Sequence, residues 1–328
     1  MARVLSGIQP TGEIHLGNYL GAVRRWVADQ DAHDAYFCIV DLHALTLPRD
    51  PAELRAKTTE TALVLMAAGL DPERCTLFVQ SHVPEHPRLA WLLECVASMG
   101  ELRRMTQFKD KARGGEESAR VGLFTYPVLQ AADILAYDAE QVPVGDEQRQ
   151  HLELCRDLAE RFNHRFGDTF VVPRATVPEI GARIMDLADP EQKMSKSADS
   201  ARGVIGVLDE PDVVARKVRK AVTDPTAQLR YDPVHKPGVS NLLQILASIR
   251  GGDPEELVEA FADYAGLKAA CTEAIVEVLR PIRERYLELA TDPHETAALL
   301  GRGADKARSV ASATLARAHE AVGLLPPR

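Results

Sequence analysis

The chain has 328 residues, 45% of them hydrophobic, with a formal net charge of −9, which is long enough for about two domains with a sizeable core and too acidic to coat nucleic acid indiscriminately. No apolar run approaches the roughly 18 residues of a membrane span and the first residues lack a signal peptide's apolar centre, so a cytoplasmic protein with no membrane partner is expected. Its five cysteines, Cys38, Cys75, Cys95, Cys155 and Cys271, are scattered and form no C-x-x-C pair, which suggests neither a disulfide framework nor a zinc site.

In chain order, "RVLSG" at 3–7, "AYFCIV" at 35–40 and "CTLFVQ" at 75–80 predict strands, with helices over 17–29 and 51–69 between them. That alternation reads as a parallel α/β sheet, and the lack of polar alternation in the later strands fits a sheet covered on both faces. Residues 84–109 read as helical, and the polar, glycine-containing "DKARGGEESARVG" at 110–122 as a mobile loop. "TYPVLQAADILAYD" predicts a helix opened by Pro127, "QVPVG" a further strand, and "DEQRQHLELCRDLAERF" a strong helix. Beyond about 205 helices dominate, near 211–222, 240–250, 254–264, 268–290 and 303–322, with a proline-rich connection at 223–239. The expected organisation is a Rossmann-like catalytic domain over 1–204 with a helical insertion at about 47–125, followed by a helical domain over 205–328.

Two segments carry chemistry. In "GIQPTGEIHLGN", Gly7, Gly12 and Gly17 let backbone approach a ligand, and a helix beginning near Gly17 would turn its free N–H groups toward phosphate. His15 and Asn18 add hydrogen-bonding groups, although a glycine-rich turn with a polar surface histidine is also common. In "EQKMSKSAD", Lys193 and Lys196 sit in a polar, small-residue loop; such lysines either are merely solvated or follow the charge on a leaving pyrophosphate. Along the helix predicted to open at Pro127, Tyr126, Gln130, Asp133 and Tyr137 share one face. That stripe suits either solvent or a flat pocket. Basic residues gather in "ELRRMTQFKDKAR" and at Arg216, Lys217, Arg219, Lys220, Arg230 and Lys236, opposed by Asp224 and Asp232; they fit a charged helix face or a nucleic-acid backbone equally.

Taken together, "HLGN" and "KMSKS" resemble the HIGH and KMSKS signatures of class I aminoacyl-tRNA synthetases. "SGIQPTG", "CIVDLHA", "TYPVLQAADIL", "VPVGDEQRQHLELCRDLAERFN", "GARIMDL" and "KPGVSNLL" extend the resemblance over nearly the whole chain to the bacterial and organellar tryptophanyl-tRNA synthetases. The resemblance implies a class I Rossmann-like sheet and a helical anticodon-binding domain, with ATP and its Mg2+, L-tryptophan and tRNA(Trp) as substrates and partners. It further implies a homodimer that makes tryptophanyl-adenylate and passes the amino acid to tRNA. By the same similarity His15, Lys193 and Lys196 would be catalytic. Gln9, Pro10, Thr11, Gly17, Asn18, Gly145, Asp146, Glu147, Ile184, Lys193, Met194, Ser195, Lys196 and Ser197 would bind ATP, and Tyr126, Asp133 and Gln148 would bind tryptophan. No metal-ligand cluster stands out.

Three positions depart from the family pattern: Leu5 where Phe is frequent, Gln130 where Met is frequent, and "GDEQ" for "GEDQ". The last leaves open whether Asp146 or Glu147 holds the ribose. A tyrosine-specific synthetase and a non-catalytic paralogue are the alternatives. Leu5 argues against the first, because the resemblance places a Tyr there in tyrosine enzymes, and intact His15, Asn18, Lys193 and Lys196 argue against the second.

Overall fold

The computed structural model describes residues 1–106, 108, 119–143, 145, 148–176, 183–195, 202–224, 226 and 228–326. β1 (Arg3–Ile8), β2 (Asp34–Ile39), β3 (Thr76–Val79), β4 (Gln141–Pro143) and β5 (Arg174–Thr176) form one parallel sheet in the order β3-β2-β1-β4-β5. From Ala35 onward β2 is buried, as is all of β3. Phe37, Ile39, Leu77 and Val79 face one apolar layer, and Tyr36, Cys38 and Phe78 face the other. Such two-sided burial explains why these strands read as continuous apolar runs. β1 pairs with β2 on one side and β4 on the other, so the strand order reverses beside β1. In open α/β sheets the ligand crevice lies at the carboxyl ends of the strands flanking that switch point.

Past β1 the chain turns at Gly12, whose φ of 62° favours glycine. It then enters α1 (Leu16–Asn18), a π-helical turn (Tyr19–Val23) and α2 (Arg24–Ala32). α3 (Asp41–Ala44) follows β2, and α4 (Pro51–Ala67) starts where the Asp50 carboxylate accepts the N–H groups of Ala52 and Glu53. α5 (Glu85–Glu94), α6 (Met99–Arg103) and α8 (Arg149–Phe166) surround α7 (Val121–Leu135), the first three each packing on it. α9 (Pro211–Arg219) and α10 (Pro237–Arg250) each pack on α11 (Tyr264–Leu289), which also meets α4. α12 (Pro293–Ala321) closes the chain.

Several expectations are corrected here. α7 begins at Val121, and Pro127 lies inside it instead of opening it; the fixed φ of proline suits the first turn, which is why the sequence alone points to a start there. Val121 and Gly122, expected to be loop, are its first residues, whereas 110–118 lie outside the described residues. The stretch 254–264 forms a 3-10 turn over Glu256–Ala260 instead of an α-helix. α12 starts at Pro293, with the Asp292 carboxylate accepting from His294 and Glu295, not near 303. The span 47–125 is more than a helical insertion, since it contributes β3 to the sheet. α12 packs on β3 and α5.

Gly303 is the reason α12 can lie so close. A Cβ there would collide with the Leu77 carbonyl oxygen and sit 2.9 Å from its carbon, whereas at Gly301 nothing lies within 4 Å. Gly303→Ala should therefore destabilise by about 1–3 kcal/mol through overpacking. Gly301→Ala, which only improves helix propensity, should stabilise by up to about 1 kcal/mol. Urea midpoints that move in the same direction for both variants would contradict this packing.

Candidate active site

The first motif is anchored from both sides. His15 is buried, and its Nδ1 accepts the Asn18 N–H at 3.2 Å while the Asn18 side-chain oxygen accepts the His15 N–H at 3.2 Å. This reciprocal cap opens α1 and leaves the proton of a neutral ring on Nε2. Leu16 N–H donates to Ile205 O at 2.8 Å and Val207 N–H to Ile14 O at 2.9 Å, so His15 forms an antiparallel bridge with Gly206. A side chain at Gly17 would press on His15, because a Cβ would lie 3.1 Å from its Nδ1 and 3.6 Å from Ile184 Cβ.

Ile184 joins this motif to the second. Its carbonyl accepts the Met194 N–H at 3.0 Å, Met185 bridges Lys193, and Ile184 and Met194 are both buried in one apolar cluster. Lys193 is exposed and Ser195 half-buried. The Asp186 carboxylate accepts Ala188 and Asp189 N–H groups and occupies the place where Gly203 would carry a side chain. Asn241 on α10 pins the same segment, donating to Met185 O and accepting from Met185 N–H, both at 2.9 Å. Sequence reading assigned Asn241 no role; "KPGVSNLL" was its signal. Lys196 and Ser197 lie outside the described residues, as do Asp146 and Glu147. At the end of β1, Gln9 is exposed, Pro10 buried and Thr11 half-buried.

Tyr126, Asp133 and Gln148 gather at a second location. Asp133 is 4% exposed, which excludes a solvent-facing stripe. Its Oδ1 accepts from Gln80 Nε2 at 2.7 Å and lies 2.6 Å from His86 Nδ1, and its Oδ2 lies 2.7 Å from His43 Nε2. Burial works to raise the Asp133 pKa, yet the adjacent His43 and His86 hold it well below the usual carboxylate range. Asp133 is therefore an ionised acceptor. The Tyr126 ring meets His43 edge-on at 6.1 Å, its hydroxyl lies 2.8 Å from His151 Nε2, and burial pushes its pKa up to about 12. Gln130 donates to Gln148 Oε1 at 3.3 Å, so its amide has a partner, and Gln148 N–H donates to Gly145 O at 2.9 Å. Leu5 belongs to the same apolar layer as Tyr126. The sequence reading missed His43, Gln80, His86 and His151, which lie far along the chain; His43 fell within the quoted "CIVDLHA", but nothing in the spacing linked it to Asp133.

The basic block at 216–236 is less available than its charge suggests. Lys217 pairs with Asp209 at 2.7 Å, Arg230 with Asp232 at 2.8 Å, and Lys236 is buried, donating to Asp224, Thr226 and the Gln228 carbonyl. Arg216, Arg219 and Lys220 remain exposed at the end of α9.

The family model for "tRNA synthetases class I (W and Y)" matches residues 1–285. The chain belongs to this family. It is 57% identical to tryptophan--tRNA ligase 2 of Streptomyces avermitilis, across 99% of this chain and 98% of that protein. Among solved structures, tryptophanyl-tRNA synthetase from Mycoplasma pneumoniae superposes with a TM-score of 0.91 at 37% identity, covering 99% of this chain and 98% of that one. The enzyme from Campylobacter jejuni, solved with ADP and tryptophan, gives a TM-score of 0.84 at 33% identity, covering 98% and 100%. The sheet with its switch point and the two anchored motifs are thus the class I synthetase arrangement. Among the described residues no group of three His, Cys, Asp or Glu side chains could hold a metal ion, and no helix is long and apolar enough to cross a membrane.

Because Asp133 has a lower pKa folded than unfolded, its ionisation contributes stability above the unfolded value of about 3.9, and the contribution is lost as pH falls below it. The excess stability of the native chain over Asp133→Asn should therefore shrink between pH 6 and pH 3 in urea titrations. An excess that is equal at both pH values would mean that the buried carboxyl is not ionised.

Proposed function

We infer that this chain is a tryptophan--tRNA ligase: it activates L-tryptophan with ATP and transfers the amino acid to the terminal ribose of tRNA(Trp). In the first step the tryptophan carboxylate attacks the α-phosphorus in line and pyrophosphate leaves, giving tryptophanyl-adenylate. In the second, a ribose hydroxyl attacks the acyl carbonyl and AMP leaves. Both steps need positioning and charge neutralisation more than covalent help from the protein.

The observation that carries the amino-acid assignment is the buried, ionised Asp133 next to Tyr126. An acceptor-only group there suits the indole N–H, which can only donate. A phenol could donate as well, but Leu5 on β1 offers its oxygen no partner, and the relatives are tryptophan enzymes. Tyr126 and Gln148 would line the same pocket.

ATP would lie along the switch-point crevice, with Mg2+ carried by the nucleotide. Gln9, Pro10, Thr11, Gly17 and Asn18 would meet it on the β1 side, and Gly145 with Asp146 or Glu147 would meet the ribose on the β4 side. Ile184, whose side chain is in the core, would meet the adenine through its backbone. His15 would donate from Nε2 to phosphate. Lys193, Met194, Ser195, Lys196 and Ser197 would follow the β- and γ-phosphates, the two ammonium groups stabilising the leaving pyrophosphate. The exposed Arg216, Arg219 and Lys220 are the part of the basic block open to the tRNA backbone. A bacterial translation enzyme of this kind would work in the cytoplasm.

Tryptophan-dependent exchange of pyrophosphate into ATP tests the reading, with tyrosine as the comparison. Lys196→Ala should lower the exchange rate by roughly two to three orders of magnitude and leave the KM for tryptophan nearly unchanged. Exchange driven by tyrosine, or by no amino acid, would reject the assignment.

A homodimer is part of the same proposal. Trp91 on α5, Met99 on α6 and Val121 on α7 are 66%, 60% and 76% exposed, and α5 and α6 both pack on α7. Such apolar exposure suits a subunit contact. Light scattering should give a dimeric mass for the native chain and a monomeric one for Trp91→Glu; a native monomer would exclude it.

A further inference from the structure

We propose that His86, its ring oriented by Tyr137, is a positioning residue for amino-acid selection that locks the Asp133 carboxylate with Oδ2 toward the substrate. The proposal rests on the reading that Asp133 accepts the indole N–H.

The geometry runs as a chain of donors. Tyr137 is fully buried, and its hydroxyl lies 2.7 Å from His86 Nε2, while His86 Nδ1 lies 2.6 Å from Asp133 Oδ1. An ionised carboxylate can only accept, so Nδ1 carries a proton. Burial pushes the Tyr137 pKa far above its ordinary value, so the phenol keeps its proton and its hydroxyl holds the Nε2 edge of the ring. That contact fixes the ring's rotation and with it the Nδ1–H aimed at Oδ1. With the proton on Nε2 instead, the Nδ1 lone pair would face the carboxylate and the two would repel.

The consequence falls on the two carboxylate oxygens. Oδ1 meets two donors, Gln80 at 2.7 Å and His86 at 2.6 Å, whereas Oδ2 meets His43 alone among the described residues, at 2.7 Å. A carboxylate has about four lone-pair sites on its two oxygens. The filled oxygen is thus turned toward α5, and the oxygen with remaining capacity is the one on the His43 side, where the Tyr126 ring packs. Around His86 the Phe78 and Tyr137 rings lie at 6.0 and 5.4 Å, the Cys38 thiol is kept protonated by burial, and the buried neighbour Glu85 accepts from the Ser312 hydroxyl at 2.8 Å and faces Arg308 at 3.9 Å. A fully buried polar chain adds little to stability that apolar side chains could not supply. Its direction toward Asp133 is what it provides.

The test uses pyrophosphate exchange with tryptophan and with the analogue in which sulfur replaces the indole nitrogen and so cannot donate. His86→Leu should raise the KM for tryptophan about tenfold with kcat within about twofold, and should leave the analogue's KM unchanged. His86→Asn, whose amide N–H2 stands near the place of Nδ1, should restore most of the tryptophan KM. Tyr137→Phe, a milder change that keeps the ring, should raise it a few-fold. Equal KM increases for tryptophan and analogue in Tyr137→Phe or His86→Leu, or no rescue by His86→Asn with an unchanged melting curve, would overturn the proposal and leave Asp133 as reader untouched. If Asp133→Ala costs tryptophan no more than the analogue, the reading beneath it fails and both fall.

Discussion

A single carboxylate withdrawn from water constrains much of this molecule. An ionised Asp133 without partners would cost several kcal/mol, and each partner comes from a different element: His43 from α3, Gln80 from the end of β3, His86 from α5. Tyr137 closes the set from the turn after α7. Satisfying one charge therefore fixes how β2, β3, α5 and α7 meet. The Gly303 approach of α12 to Leu77 secures the back of the same strand, so the outer helix and the buried carboxylate depend on one placement of β3.

The side proposed to hold the nucleotide is built on a different principle. There each motif is held by backbone: His15 against Gly206, and Met194 and Lys193 against Ile184 and Met185. The Asn241 amide then ties that segment to α10. A displacement of the helices beyond 205 would pull on the segment that carries Lys193. Such a link gives those helices a mechanical route to the first half of the lysine loop.

What the sequence disclosed follows from the range of each interaction. β2 and β3 were legible because two-sided burial leaves nearly uninterrupted apolar runs, and the motifs were legible because their residues are contiguous. α7 was misplaced at Pro127 because a proline marks a helix start and a tolerated mid-helix residue in the same way. The partners of Asp133 were invisible because they lie 90, 53 and 47 residues away, and no local periodicity encodes such distances. For the same reason an apparent basic surface at 216–236 concealed Lys236, whose charge is spent on Asp224 and the carbonyls of its own connection.

The contrast between the two halves of the site has a chemical reason. Selecting an amino acid is a comparison between similar molecules, and a pocket discriminates only if its polar groups cannot relax to suit the wrong one. Buried, mutually bonded groups such as Asp133, His86 and Tyr137 would meet that need. Phosphate transfer instead requires charge to follow atoms as they separate, which an exposed Lys193 on a long side chain can do. On the proposed assignment, a rigid network at the amino acid and an exposed Lys193 at the phosphates are two answers to what must stay still and what must move during one reaction.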